Sequence, residues 1–73
     1  MILNMGKLSN QDFIELVKRS IDLTNQGLRL GQSFMISLSE MNNDLYNDIT
    51  GTDNDCFYED EKLINFFKYL DNE

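Results

Sequence analysis

The sequence predicts an all-α fold, a small bundle of three to four short helices with an acidic loop before the last. Three observations lead there. Apolar residues recur at three- and four-residue spacing, helix-capping residues bracket those runs, and no proline interrupts them. Strand-like alternation is absent outside residues 1–8. The 73 residues make one domain, 1–73, with connections short enough to imply antiparallel neighbours.

Residues 1–8 are an N-terminal arm. Ile2, Leu3, Met5 and Leu8 can pack over the helices as an extended arm or short strand, or fray. Ser9 followed by Asp12 is an N-cap with an acid at N3, so a helix is expected from Asn10 to about Gln26. Its apolar stripe reads Phe13, Ile14, Val17 and Ile21, with Leu16 and Leu23 on the flanks. Gly27 suits the left-handed C′ position, and Leu28 can fold back as the apolar C″ contact.

A second helix is expected over Leu30–Met41, its face formed by Leu30, Phe34, Leu38, Met41 and, further on, Leu45. Gly31 early in that run implies either a close backbone neighbour or a later helix start. Asn43 is the expected cap of a further short helix, Asp44 to Ile49, with Leu45 and Ile49 on one side and Gly51 as its C′ residue. After the acidic loop, Asp60 or Glu59 should cap a last helix running to about Leu70. Leu63, Ile64, Phe66, Phe67 and Leu70 give that helix an apolar face over more than half its circumference.

Composition removes several classes of function. The chain has no histidine and one cysteine, Cys56, so it lacks the commonest general base and cannot form an internal disulfide or a cysteine-rich zinc site. The missing disulfide framework favours a reducing, cytoplasmic compartment. No apolar run approaches the roughly 20 residues that span a bilayer, so no membrane is expected as partner. A thiol among acids is electrostatically discouraged from ionising, which makes Cys56 a half-buried filler rather than a nucleophile. No catalytic residue and no cofactor are assigned, and the chain reads as a non-enzyme.

Asp53 and Asp55 alternate as the first ligands of a calcium loop do. The third alternate position is Phe57, the turn position is Tyr58, and the closing glutamate would fall at Ile64. No metal ligands are assigned.

Charge is the strongest compositional signal. Residues 1–39 hold three acids and four bases, whereas residues 40–73 hold ten acids and two bases, a net of −8. Such a half-domain repels nucleic acid and is drawn to basic protein surfaces. Lys18, Arg19 and Arg29 form no continuous basic face and are expected to pair with acids on neighbouring helices. The candidate binding surface is Glu40, Asp44, Asp48, Asp53, Asp55, Glu59, Asp60 and Glu61, an acidic row able to imitate nucleic-acid phosphates, with Tyr46, Tyr58 and Tyr69 as aromatic anchors. Phe57-Tyr58 should pin the loop to the core. The alternative is a self-associating helical module, a homodimer through Leu63, Ile64, Phe66 and Phe67, because so small a chain has trouble burying a face that wide.

Arg29-x-Gly31-Gln32, followed by Leu45-Tyr46-x-x-Ile49-x-Gly51-Thr52-x-x-Asp55-x-Phe57-Tyr58-x-Asp60, resembles a pattern in small open reading frames of tailed bacteriophages and prophages. In those proteins an R-x-G-Q segment opens a helix and a G-T-D-x-D-P-F-Y-x-D segment leads into the last one. The resemblance spans about residues 29–70. The chain departs from it at Cys56, where proline is common, and at Ser37, where asparagine is common. It implies no activity, substrate or cofactor. It does imply a phage-encoded accessory protein made inside a bacterium, and with the acidic half it points to a protein that binds and inhibits a host factor.

Overall fold

A computed structural model describes residues 6–71. The elements are α1 (Asn10–Asn25), α2 (Leu30–Met41), α3 (Asn43–Ile49), a single 3₁₀ turn (Asp60–Lys62) and α4 (Leu63–Asp71), with no strand among the described residues. The all-α expectation holds. Of the arm, Ile2, Leu3 and Met5 lie outside the described residues. Leu8 is buried, and the Lys7 amide donates to the Leu70 carbonyl at 2.9 Å, joining the start of the bundle to its end.

Helix α2 is the centre, packing against α1, α3 and the 3₁₀ turn. Its Phe34, Met35 and Leu38 meet Leu16, Leu45, Ile49, Leu63, Phe66 and Leu70 in one core. Phe34 and Phe67 cross edge to face at 5.1 Å, and Phe67 also reaches Phe13 at 6.4 Å, so one ring bridges three helices. The chain exposes 4686 Å². A monomeric protein of its mass exposes about 4,700 Å². The helices therefore close a core without a second copy.

The caps follow local chemistry. Ser9 accepts the Asp12 amide at 3.0 Å. Gly27, at φ 105°, closes α1 in a Schellman turn, with Gly27 N–H donating to the Thr24 carbonyl and Leu28 N–H to the Leu23 carbonyl. Gly51, at φ 80°, ends α3 in the same left-handed conformation. The α3 cap is Asn42 rather than Asn43. Its side chain accepts the Leu45 amide at 3.1 Å while its own N–H donates to Leu38, so one residue closes α2 and opens α3.

The buried stripe of α1 is rotated from the expected one. Leu16 and Ser20 are fully buried, whereas Ile14 and Ile21 are 56% and 53% exposed. The cause is a seam of small residues between α1 and α2. Ser20, Ser33 and Ser37 are all buried. Ser20 and Ser33 hydroxyls donate to carbonyls of their own helices, at Leu16 and Arg29, and Thr24 Oγ1 meets Ser33 Oγ at 3.1 Å. A serine satisfied this way occupies a close helix contact that a bulky isoleucine would obstruct.

Candidate functional site

The loop from Thr50 to Glu59 is fastened from within. Thr52 Oγ1 donates to the Ile49 carbonyl at 2.6 Å, and the Asp55 amide donates to Thr52 at 3.1 Å. Asp55 then binds both ends of the turn, Oδ2 accepting the Gly51 amide and Oδ1 the Phe57 amide, each at 2.9 Å. Asn65 Nδ2 of α4 holds the Asp53 carbonyl at 3.2 Å.

A second set of contacts latches the loop to the start of α2. Asp60 Oδ1 accepts the Gly31 amide at 2.9 Å and faces Arg29 Nη1 at 3.4 Å. Arg29 Nη2 donates to the Phe57 carbonyl at 2.7 Å. The Cys56 thiol donates to the Gly31 carbonyl at 3.4 Å. Gly31 is buried within α2, and a Cβ there would overlap the Cys56 carbonyl oxygen and stand 2.9 Å from Asp60 Oδ1. Close backbone approach, not a delayed helix start, is the reason for this glycine.

The expected anchoring holds for Phe57, which packs against the core, and needs correction for Tyr58. Cys56 is fully buried and is the residue that pins the loop, while Phe57 is half-buried against the core and Tyr58 is 81% exposed. A thiol fits under Gly31 where a ring would not. Burial pushes the Cys56 pKa up to about 12, with smaller contributions from Asp55 and Asp60. Nothing here activates a thiolate. The start of the last helix also differs. Glu59 stands at the cap position with no side-chain cap bond, the first turn is 3₁₀, and the Asp60 carboxylate is directed toward α2.

The eight acids therefore fall into three groups. Asp55 and Asp60 hold the loop. Glu40 is exposed but pairs with Arg19 Nη1 at 3.2 Å, and Arg19 also binds Glu15 at 2.8 Å, a hydrogen bond that leads the causes raising the guanidinium pKa. Arg19 and Arg29 thus pair with acids as expected, whereas Lys18 is in no ion pair among the described residues. Asp44 and Asp48 lie one turn apart on α3, and with Asp53, Glu59 and Glu61 they are exposed and outside any ion pair among the described residues. Among the described residues no three His, Cys, Asp or Glu side chains are grouped to hold a metal ion.

Of the three tyrosines, only Tyr58 projects. Tyr46 packs against the core, and Tyr69 does so beneath Lys7 Nζ, 4.9 Å above its ring. Tyr58 stands between two depressions. One, of about 220 Å³, is lined by Gly51, Thr52, Asp55, Tyr58, Glu59 and Lys62. The other, of about 120 Å³, is lined by Met35, Tyr46, Thr50, Asp55, Phe57 and Tyr58. The wide face of α4 is mostly spent at home: Leu63 and Phe66 are buried, Phe67 is covered by Phe13 and Phe34, and Ile64 alone of the four is exposed, at 64%.

Sequence reasoning missed the latch of Arg29, Gly31, Cys56 and Asp60. Its signal was present in the early helical glycine and in the R-x-G-Q and F-Y-x-D segments. No helix of the described residues is long and apolar enough to cross a membrane. No protein-family model, curated protein or solved structure matches this chain.

Proposed function

We propose that this chain is a phage-encoded accessory protein that binds and inhibits a host protein in the bacterial cytoplasm. It acts without catalysis, by laying an acidic surface on a basic protein that handles nucleic acid. One observation carries the reading. Asp44, Asp48, Asp53, Glu59 and Glu61 are exposed, and no lysine or arginine among the described residues pairs with them. Uncompensated charge of one sign steers association toward the opposite sign and away from nucleic acid itself. The resemblance to small phage reading frames supplies the setting.

Asp55 and Asp60 hold the loop's shape, so the test leaves them intact. Tagged protein is used to capture partners from bacterial lysate, beside a variant with Asp44, Asp48 and Asp53 changed to Asn and Glu59 and Glu61 to Gln. A basic nucleic-acid-handling protein retained by the parent, lost by the variant and released by salt supports the proposal. Retention indifferent to both changes rejects it.

A further inference from the structure

We propose that the larger depression beside Tyr58 receives an arginine side chain from the protein partner, with an adjacent apolar residue of that partner seated in the smaller depression beside the same ring. The proposal rests on the acidic-docking reading and names the group that is docked.

The ring comes first. Tyr58 is 81% exposed on a loop whose backbone is pinned immediately before it, by buried Cys56 and by the Phe57 amide and carbonyl bonds to Asp55 and Arg29. The Phe57 ring backs it edge to face at 4.9 Å. The backbone that carries the ring is held in place, so the loop itself loses little freedom on binding.

The two depressions share Tyr58 and Asp55 and differ in the rest of their lining. In the larger depression, Asp55 and Glu59 stand against a single ammonium, Lys62. A ring face bordered by an excess of carboxylate suits a guanidinium, which is planar, weakly hydrated and stacks on aromatic faces, better than a compact, strongly hydrated ammonium. In the smaller depression, Met35, Tyr46 and Phe57 supply an apolar lining beside Asp55 and Thr50, with no second carboxylate. Nucleic acid is excluded by the same charges.

The probe is a blocked Leu-Arg-Leu tripeptide titrated into ¹⁵N-labelled protein. Saturable amide shifts centred on Gly51, Thr52, Tyr58 and Glu59, with Thr50 of the smaller depression, are expected. They should weaken about tenfold when citrulline replaces arginine, and weaken also with lysine. Tyr58→Ala should lose them and Tyr58→Phe keep them, with melting temperatures unchanged because the side chain is exposed. Shifts spread equally over Glu40 and Asp44, equal response to lysine or citrulline, indifference to Tyr58→Ala, or no shift at all overturns the inference. If lysate capture still depends on the five exposed acids in that case, the docking reading stands and only the arginine site falls. Capture indifferent to those acids sinks the docking reading, whatever the peptide does.

Discussion

Asp60 caps a helix that begins far upstream of it: its Oδ1 accepts the Gly31 amide at 2.9 Å across a separation of 29 residues. The residue at the local cap position of α2 is Arg29, whose side chain makes no cap bond and reaches for Phe57 and Asp60 instead. An open helix N-terminus and a loop that needs a mooring solve each other's problem.

Asp60→Ala removes both the cap acceptor and the Arg29 partner and should cost about 1–2 kcal/mol in urea unfolding. The cap accounts for most of this, because both members of the ion pair are about half exposed. Asp60→Asn keeps an acceptor and should recover part of the loss. Glu59→Ala, beside it, should stay within about 0.5 kcal/mol.

Gly31→Ala reverses an ordinary rule. In an open helix this change stabilises by about 1 kcal/mol. Here the added methyl meets the Cys56 carbonyl, so a loss of about 2 kcal/mol is expected, seen as a melting temperature lower by roughly 10 °C.

Burial raises the Cys56 pKa from 9.0 to about 12, so the folded state keeps a proton that the unfolded chain releases first. The linked stability is complete below pH 9 and is lost between pH 9 and about 12, at up to about 1.4 kcal/mol per pH unit. Comparing wild type with Cys56→Ala across that range isolates the thiol from other alkaline titrations. A difference that does not change with pH would contradict this.

The serine seam separates two outwardly similar residues. Ser33 Oγ bonds Arg29 and Thr24, whereas the buried Ser37 Oγ has no hydrogen-bond partner among the described residues. Ser33→Ala should destabilise by about 1 kcal/mol, and Ser37→Ala should be neutral or stabilising. Denaturation midpoints of the two variants decide it.

On α4, Phe66→Ala should cost about 3–5 kcal/mol, because Phe66 is fully buried. Ile64→Ser should stay within about 0.5 kcal/mol. If Ile64→Ser also dissociates a dimer in sedimentation, the self-associating alternative gains the support that Leu63 and Phe66 no longer lend it.

Much of the fold was legible because it is locally encoded. Ser9, Gly27 and Gly51 act within a turn of themselves, and the apolar spacing places α2, although only the close approach at Gly31 settles its start at Leu30. The α1 stripe was misread because hydropathy counts Ser20 as polar, although its hydroxyl is satisfied by Leu16 and its small size is what the α2 contact uses. Asp55 and Asp60 look like their exposed neighbours in sequence. Only their distance to the Gly51, Phe57 and Gly31 amides separates a carboxylate that shapes the loop from one available to a partner. Tyr46, Tyr58 and Tyr69 are likewise equivalent until the core claims two of them.

The remote cap has a consequence for synthesis. A chain emerging N-terminus first presents α1 and α2 well before Asp60 is translated, so the first turn of α2 is born with its Gly31 amide unanswered. The latch, the core contacts of α4 and the Lys7–Leu70 bond all await residues 60–71. A nascent chain halted at α3 would hold helices but no closed domain, and the fold is completed only once α4 has emerged.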